Sequence, residues 1–222
     1  MPAFQSRISA TSSFRDILAA TAVALALLAP THAKAQHSYE QSLMHMLPLF
    51  CRYTQDFMGR FPGTGDRAAE YERWKTSMGP TFIHMHHYCY GLMDVNRALL
   101  LSRTREDRLF NLNKSIAEFD YVIQRSTPDF SLLPEIHTKK GESLIQLDKA
   151  DDAIFEFRRA IKIRADYTPP YAAMSDYYKG IGEIAKAREW LKNGLSAAPN
   201  AAALKRRLTA LNKLPDKENK AP

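Results

Sequence analysis

Apolar and small side chains recur at helical spacing along much of this chain, and in one region they recur twice in the same order. Tyr171, Met174 and Tyr178 fall at i, i+3 and i+7, one stripe of a helix. Gly141, Ala153, Phe157 and Ala160 are followed 34 residues later by Ser175, Ala187, Leu191 and Gly194. Each pair keeps its character: small, small, bulky apolar, small. Small residues let two helices approach closely, and the bulky one fills the hollow between them. The pattern predicts two copies of a helix–turn–helix, over 134–167 and 168–201. Gly180 and Gly182 supply the second turn, and Pro199, which lacks an N–H, ends the last helix of the pair.

Upstream the pattern is less regular. A short helix is expected over Ser38–Met46, stopped by Pro48, with a second helical piece at Leu49–Tyr53. Phe61–Gly65 has turn chemistry. Asp66 is an N-cap for a helix to about Ser77, on which Tyr71, Trp74 and Met78 share a face. Thr81 opens a long helix, Phe82–Leu99, whose partner is expected over Leu109–Arg125 after a connection through Ser102–Arg108. Downstream, Asn200 caps a final helix to Lys213 with Ala203, Leu204, Leu208 and Leu211 on its apolar face. The divisions are therefore 36–80 (irregular helices), 81–133 (a diverged helix pair), 134–167 and 168–201 (two clear repeats), 202–213 (a capping helix) and 214–222 (a polar tail read as disordered).

The 34-residue period, with these residues at these places, resembles the tetratricopeptide repeat (TPR). Aligning Gly91 with Gly141 brings the diverged pair into the same frame. Ser115, Phe119 and Val122 then match the second helix, and His87 stands where His137 does, at a place the family fills with Trp or Tyr. The resemblance implies an all-α solenoid and a non-enzymatic adaptor or scaffold that binds another protein. It also implies an inner groove lined by Glu135, Thr138, Glu142, Ile145, Gln146, Ala172, Asp176 and Lys179. Glu142 and Asp176 would repel a carboxylate tail, so the groove suits a peptide or loop carrying Lys or Arg.

Residues 1–35 change the expected setting. Arg7 and Arg15 precede an uncharged apolar run, Ile17–Ala29, followed by Pro30 and Ala33-Lys34-Ala35. This reads as a secretory signal peptide cleaved before Gln36, in the bacterial style. The run is shorter than the roughly 20 residues a membrane span needs. The expected location is the periplasm or outside the cell, with no stable membrane anchor after cleavage. The expected partner is another envelope or secreted protein, as in assembly of a polysaccharide-export, pilus or secretion system. The whole sequence has a formal net charge of +7, without the clustered basic stripe of a nucleic-acid binder, so no nucleic acid is expected.

Candidate chemistry is sparse. Cys51 and Cys89 are the only cysteines. In an oxidising compartment they are expected to pair, the alternative being two buried thiols. His84, His86 and His87 form a cluster in which two could ligate zinc if a third ligand arrived; the other reading is a packed His87 with its neighbours partly exposed. There is no metalloprotease HExxH, no CxxCH, no GxSxG and no Walker A sequence. No cofactor and no catalytic residue is therefore expected. The alternatives to the adaptor are a metal-binding protein using the three histidines and a helical module that binds glycan through tyrosines and Trp74.

Overall fold

The computed structural model describes residues 42–60 and 66–215. The expected signal peptide, the loop at 61–65 and most of the polar tail lie outside the described residues. The chain divides into two units, Met1–Met46 and Leu47–Pro222. Of the first, Ser42–His45 is helical.

The second unit is all-α, with no strand among the described residues. After a 3-10 turn at Leu49–Tyr53, its helices are α1 (Arg67–Met78), α2 (Met85–Asn96), α3 (Arg105–Arg125), α4 (Leu133–Gln146), α5 (Ala150–Ile163), α6 (Pro169–Gly180), α7 (Ile184–Ala197) and α8 (Ala202–Leu211). α2/α3, α4/α5 and α6/α7 are antiparallel pairs stacked on their neighbours, and α8 closes the last pair.

The small-residue logic holds at atomic level. A Cβ placed on Gly141 would lie 2.6 Å from Phe157 Cε1 and 2.8 Å from its Cδ1; on Gly91 the same two atoms of Phe119 would lie at 2.5 and 2.8 Å. The diverged first pair is thus locked by the same glycine–phenylalanine contact as the clear repeat. In the third pair the corresponding residues are the larger Ser175 and the smaller Leu191, and both are buried. The turns also correspond. Asp148 (φ 60°) and Gly182 (φ 82°), 34 residues apart, both take the left-handed conformation, whereas Gly180 stays helical.

Three boundaries differ from those expected. The long helix at 82–99 is three pieces: a 3-10 segment Gly79–His84 beginning at Gly79-Pro80, then α2, then a π-helical turn Arg97–Leu101. α3 starts at Arg105 rather than Leu109, because the Thr104 hydroxyl accepts the Asp107 N–H at 3.0 Å and caps it. Ala201, not Asn200, precedes α8, which ends at Leu211, and Ala203 faces solvent while Leu204 and Leu211 are buried.

Candidate functional site

Each of the first two pairs carries a buried or half-buried polar bridge between its helices. His137 Nδ1 on α4 meets Glu156 Oε2 on α5 at 2.6 Å, and His87 Nδ1 on α2 meets Glu118 Oε2 on α3 at 2.6 Å. The third pair replaces the bridge with aromatics, Tyr171 against Trp190 with ring centroids 6.3 Å apart. The partner acids are readable only in hindsight: Glu118 and Glu156 each directly precede the locking phenylalanine. Glu156 is held further by Lys140 Nζ at 2.8 Å, and Lys140 reaches Asp120 of α3 at 2.7 Å. Burial alone would raise the Glu156 carboxyl, but hydrogen bonds from His137 and Lys140 outweigh it and hold the group below the ordinary glutamate value.

The histidine cluster is largely engaged within the chain. His87 stacks on Tyr121 with centroids 3.6 Å apart, and the Arg125 guanidinium also lies 3.6 Å from that ring's centroid. His86 Nδ1 contacts the Ile83 carbonyl at 3.0 Å. Burial lowers the His84 and His86 pKa values; Arg125 and the two neighbouring histidines push His84 the same way, whereas at His86 the added push from His87 is opposed by Asp56, the Ile83 carbonyl and Glu118. Among the described residues no group of three His, Cys, Asp or Glu side chains is arranged to hold a metal ion. Cys51 and Cys89 form a disulfide with Cα atoms 5.8 Å apart, joining the 3-10 turn Leu49–Tyr53 to α2.

Between α4 and α6 lies a cleft of about 460 Å³. Glu142, Ile145 and Gln146 line it from α4, with Asp148 in the turn, Phe157 at its floor, and Ala173, Asp176 and Tyr177 from α6. Gly180 and the exposed Ile181 complete the rim. Its charged lining is entirely acidic. Glu142 receives Lys139 Nζ at 2.9 Å. Asp176 is clasped by Arg207 of α8, whose Nη1 lies 2.6 Å from Oδ2.

Four of the expected groove residues, Glu142, Ile145, Gln146 and Asp176, therefore meet in this cleft, and four do not. Thr138 is buried, its hydroxyl donating to the Pro134 carbonyl at 2.7 Å. Glu135 is half-buried and accepts the Tyr88 hydroxyl at 2.5 Å. Ala172 packs on the apolar cluster of Ala187, Leu191, Leu204 and Leu211, and Lys179 is exposed but lies outside the lining. Gln146 also accepts a hydrogen bond from Arg108 of α3. Nearby, burial and then the Glu135 carboxylate, opposed by Arg164, push the Tyr167 phenol up to about 12.

Residues 134–167, the pair α4/α5 with the turn leading to α6, match the family model described as tetratricopeptide repeat. The chain contains a tetratricopeptide repeat. The matched segment contains the Gly141–Phe157 lock, and the same lock at Gly91–Phe119 extends TPR-like packing to α2/α3. No curated protein matches the chain. TPR modules mediate protein–protein interaction, and the α4–α6 cleft is formed by the first helices of two successive pairs.

Proposed function

We propose that this TPR protein is a non-enzymatic adaptor whose α4–α6 cleft receives a Lys- or Arg-bearing peptide or loop of another protein. One observation carries the reading: Asp176 already holds a guanidinium, that of Arg207, in a cleft whose charged lining residues are all carboxylates. Arg207 Nη1 alone reaches both carboxylate oxygens, and a basic ligand would reproduce this charge-assisted contact. Ile145, Tyr177 and Ile181 give apolar contact alongside the acids. The character of residues 1–35 supports an exported setting, with an envelope or secreted protein as partner and assembly of an export, pilus or secretion system as the wider role.

The test is a peptide array probed with the full-length protein. Peptides combining Lys or Arg with an aliphatic residue are expected to bind. Glu142→Lys with Asp176→Lys, folded by circular dichroism, is expected to abolish that binding, while Arg207→Ala tightens it by vacating Asp176. Preference for acidic peptides, or basic-peptide binding unchanged in the double variant, overturns the proposal.

A further inference from the structure

The first helix pair overhangs the others at one end. α3 begins ten residues before Ser115, whereas α5 and α7 begin three residues before Ala153 and Ala187. α4 and α6 end five residues past Gly141 and Ser175; α2 also ends five past Gly91, but the chain then continues through the π-helical turn Arg97–Leu101. At 1.5 Å per residue the seven extra residues of α3 project about 10 Å.

The overhang is built rather than frayed. Asp94 is fully buried at its base, bonded to Arg97 at 2.6 Å and facing Lys114 at 3.4 Å. The Ser102 N–H donates to the Arg97 carbonyl at 2.9 Å. Asn111 donates to the Ser102 hydroxyl at 3.3 Å and to the Asp107 carbonyl at 2.9 Å.

Its end is apolar and basic together. Leu99, Leu100, Leu101 and Phe110 are 51%, 58%, 37% and 68% exposed. Three consecutive residues of an α-helix sweep about 200°, so one of three leucines would ordinarily turn into the pair's own interface; here Ala98 does so instead, buried at 3%. Arg103 and Arg105 sit between the leucines and Phe110, exposed and engaging no carboxylate among the described residues. With Arg97 paired to Asp94, three arginines, Arg103, Arg105 and Arg108, stand against Glu106 and Asp107. Those two acids occupy the first turn of α3, where carboxylates complement the helix dipole.

We propose that this hairpin end is a peripheral membrane-contact site. It places Leu99, Leu100, Leu101 and Phe110 at the acyl boundary of an anionic bilayer while Arg103 and Arg105 engage lipid phosphates. A projecting end bearing exposed aliphatic side chains suits a fluid surface, which moulds around it. The interspersed arginines match a negative surface and hold the apolar side chains against it. The contact is reversible and independent of the α4–α6 cleft.

The experiment uses the full chain carrying Leu100→Cys, labelled with an environment-sensitive fluorophore. Cys51 and Cys89 are joined to each other and do not compete for the label. The Phe110 and arginine variants leave the apolar run Ile17–Ala29 intact, so their effect on the probe separates insertion of this end from anchoring through that run. Vesicles of phosphatidylcholine with phosphatidylglycerol are expected to shift its emission to the blue. Phe110→Ser is expected to diminish the shift, and Arg103→Ala with Arg105→Ala to weaken partitioning about 30-fold. No spectral change with vesicles overturns the proposal. So does an equal response to phosphatidylcholine alone that the arginine variants do not alter. A blue shift that grows with protein concentration in the absence of vesicles would identify the end as a protein interface and overturn it equally.

Discussion

Gly141→Ala is the most informative single change. In a helix interior this substitution ordinarily stabilises by about 1 kcal/mol through backbone propensity. Here the new methyl would meet three ring atoms of Phe157 at 2.6, 2.8 and 3.0 Å. Phe157 is completely buried, so its ring cannot swing into solvent. Overpacking of this kind costs about 1–3 kcal/mol; with three atoms inside normal contact the upper end applies, leaving a net loss of about 2 kcal/mol. Urea denaturation followed by helical circular dichroism measures it. Gly180→Ala is the control, since a Cβ there meets nothing within 4 Å, and it is expected to be neutral or stabilising. Adding Phe157→Leu to Gly141→Ala gives the pair a larger small residue and a smaller bulky one, as the third pair has at Ser175 and Leu191. The double variant is expected to be more stable than the two single losses summed, by about 1–2 kcal/mol. Gly141→Ala as stabilising as the control would refute the close-approach argument.

Two further outcomes follow from the polar and covalent links. Replacing Cys51 and Cys89 by serine removes a cross-link spanning 38 positions of sequence, and global stability is expected to fall by about 4 kcal/mol, read by the same denaturation. Glu156, held below the ordinary value of 4.5, contributes stability that is present above that pH and lost as pH falls through the folded-state value. Acid titration of the wild type is expected to show this loss, and Glu156→Gln to flatten that part of the profile; an unchanged acid limb would remove the bridge from the account.

The two later repeats were legible because their information is local: small residues at fixed spacing determine which helices can touch. The first pair was only partly legible. Its frame could be found from Gly91, His87 and Phe119, but Arg105–Arg108 carries no apolar residue and reads as a connection until the Thr104 cap is seen to begin a helix there. The cleft was half legible. Helical register places Glu142, Ile145, Gln146 and Asp176 on one side, and these four line the cleft. It could not show that α8 packs near Ala172, leaving Ala173 and Tyr177 to face the cleft. Nor could it show that Arg207, 31 residues away, already grips Asp176. Both facts depend on where the last helix docks, and no short-range spacing encodes that.

The disulfide anchors only the first helix pair, and this has a consequence for how the protein would peel. In a stack whose units touch only their neighbours, opening begins where restraints are fewest. The C-terminal end, closed by Leu204, Leu211 and Arg207 on a ten-residue helix, is the end that unzips. One wall of the cleft belongs to that fraying pair and the other, α4, to the pair before it. A peptide bridging both walls therefore acts as a clamp, and by linkage its affinity and the resistance of α6–α8 to opening are one quantity seen from two sides. Loosening the cap at Leu204 would release a ligand that never touches it, and a bound ligand would slow amide exchange in α7, beyond its own reach.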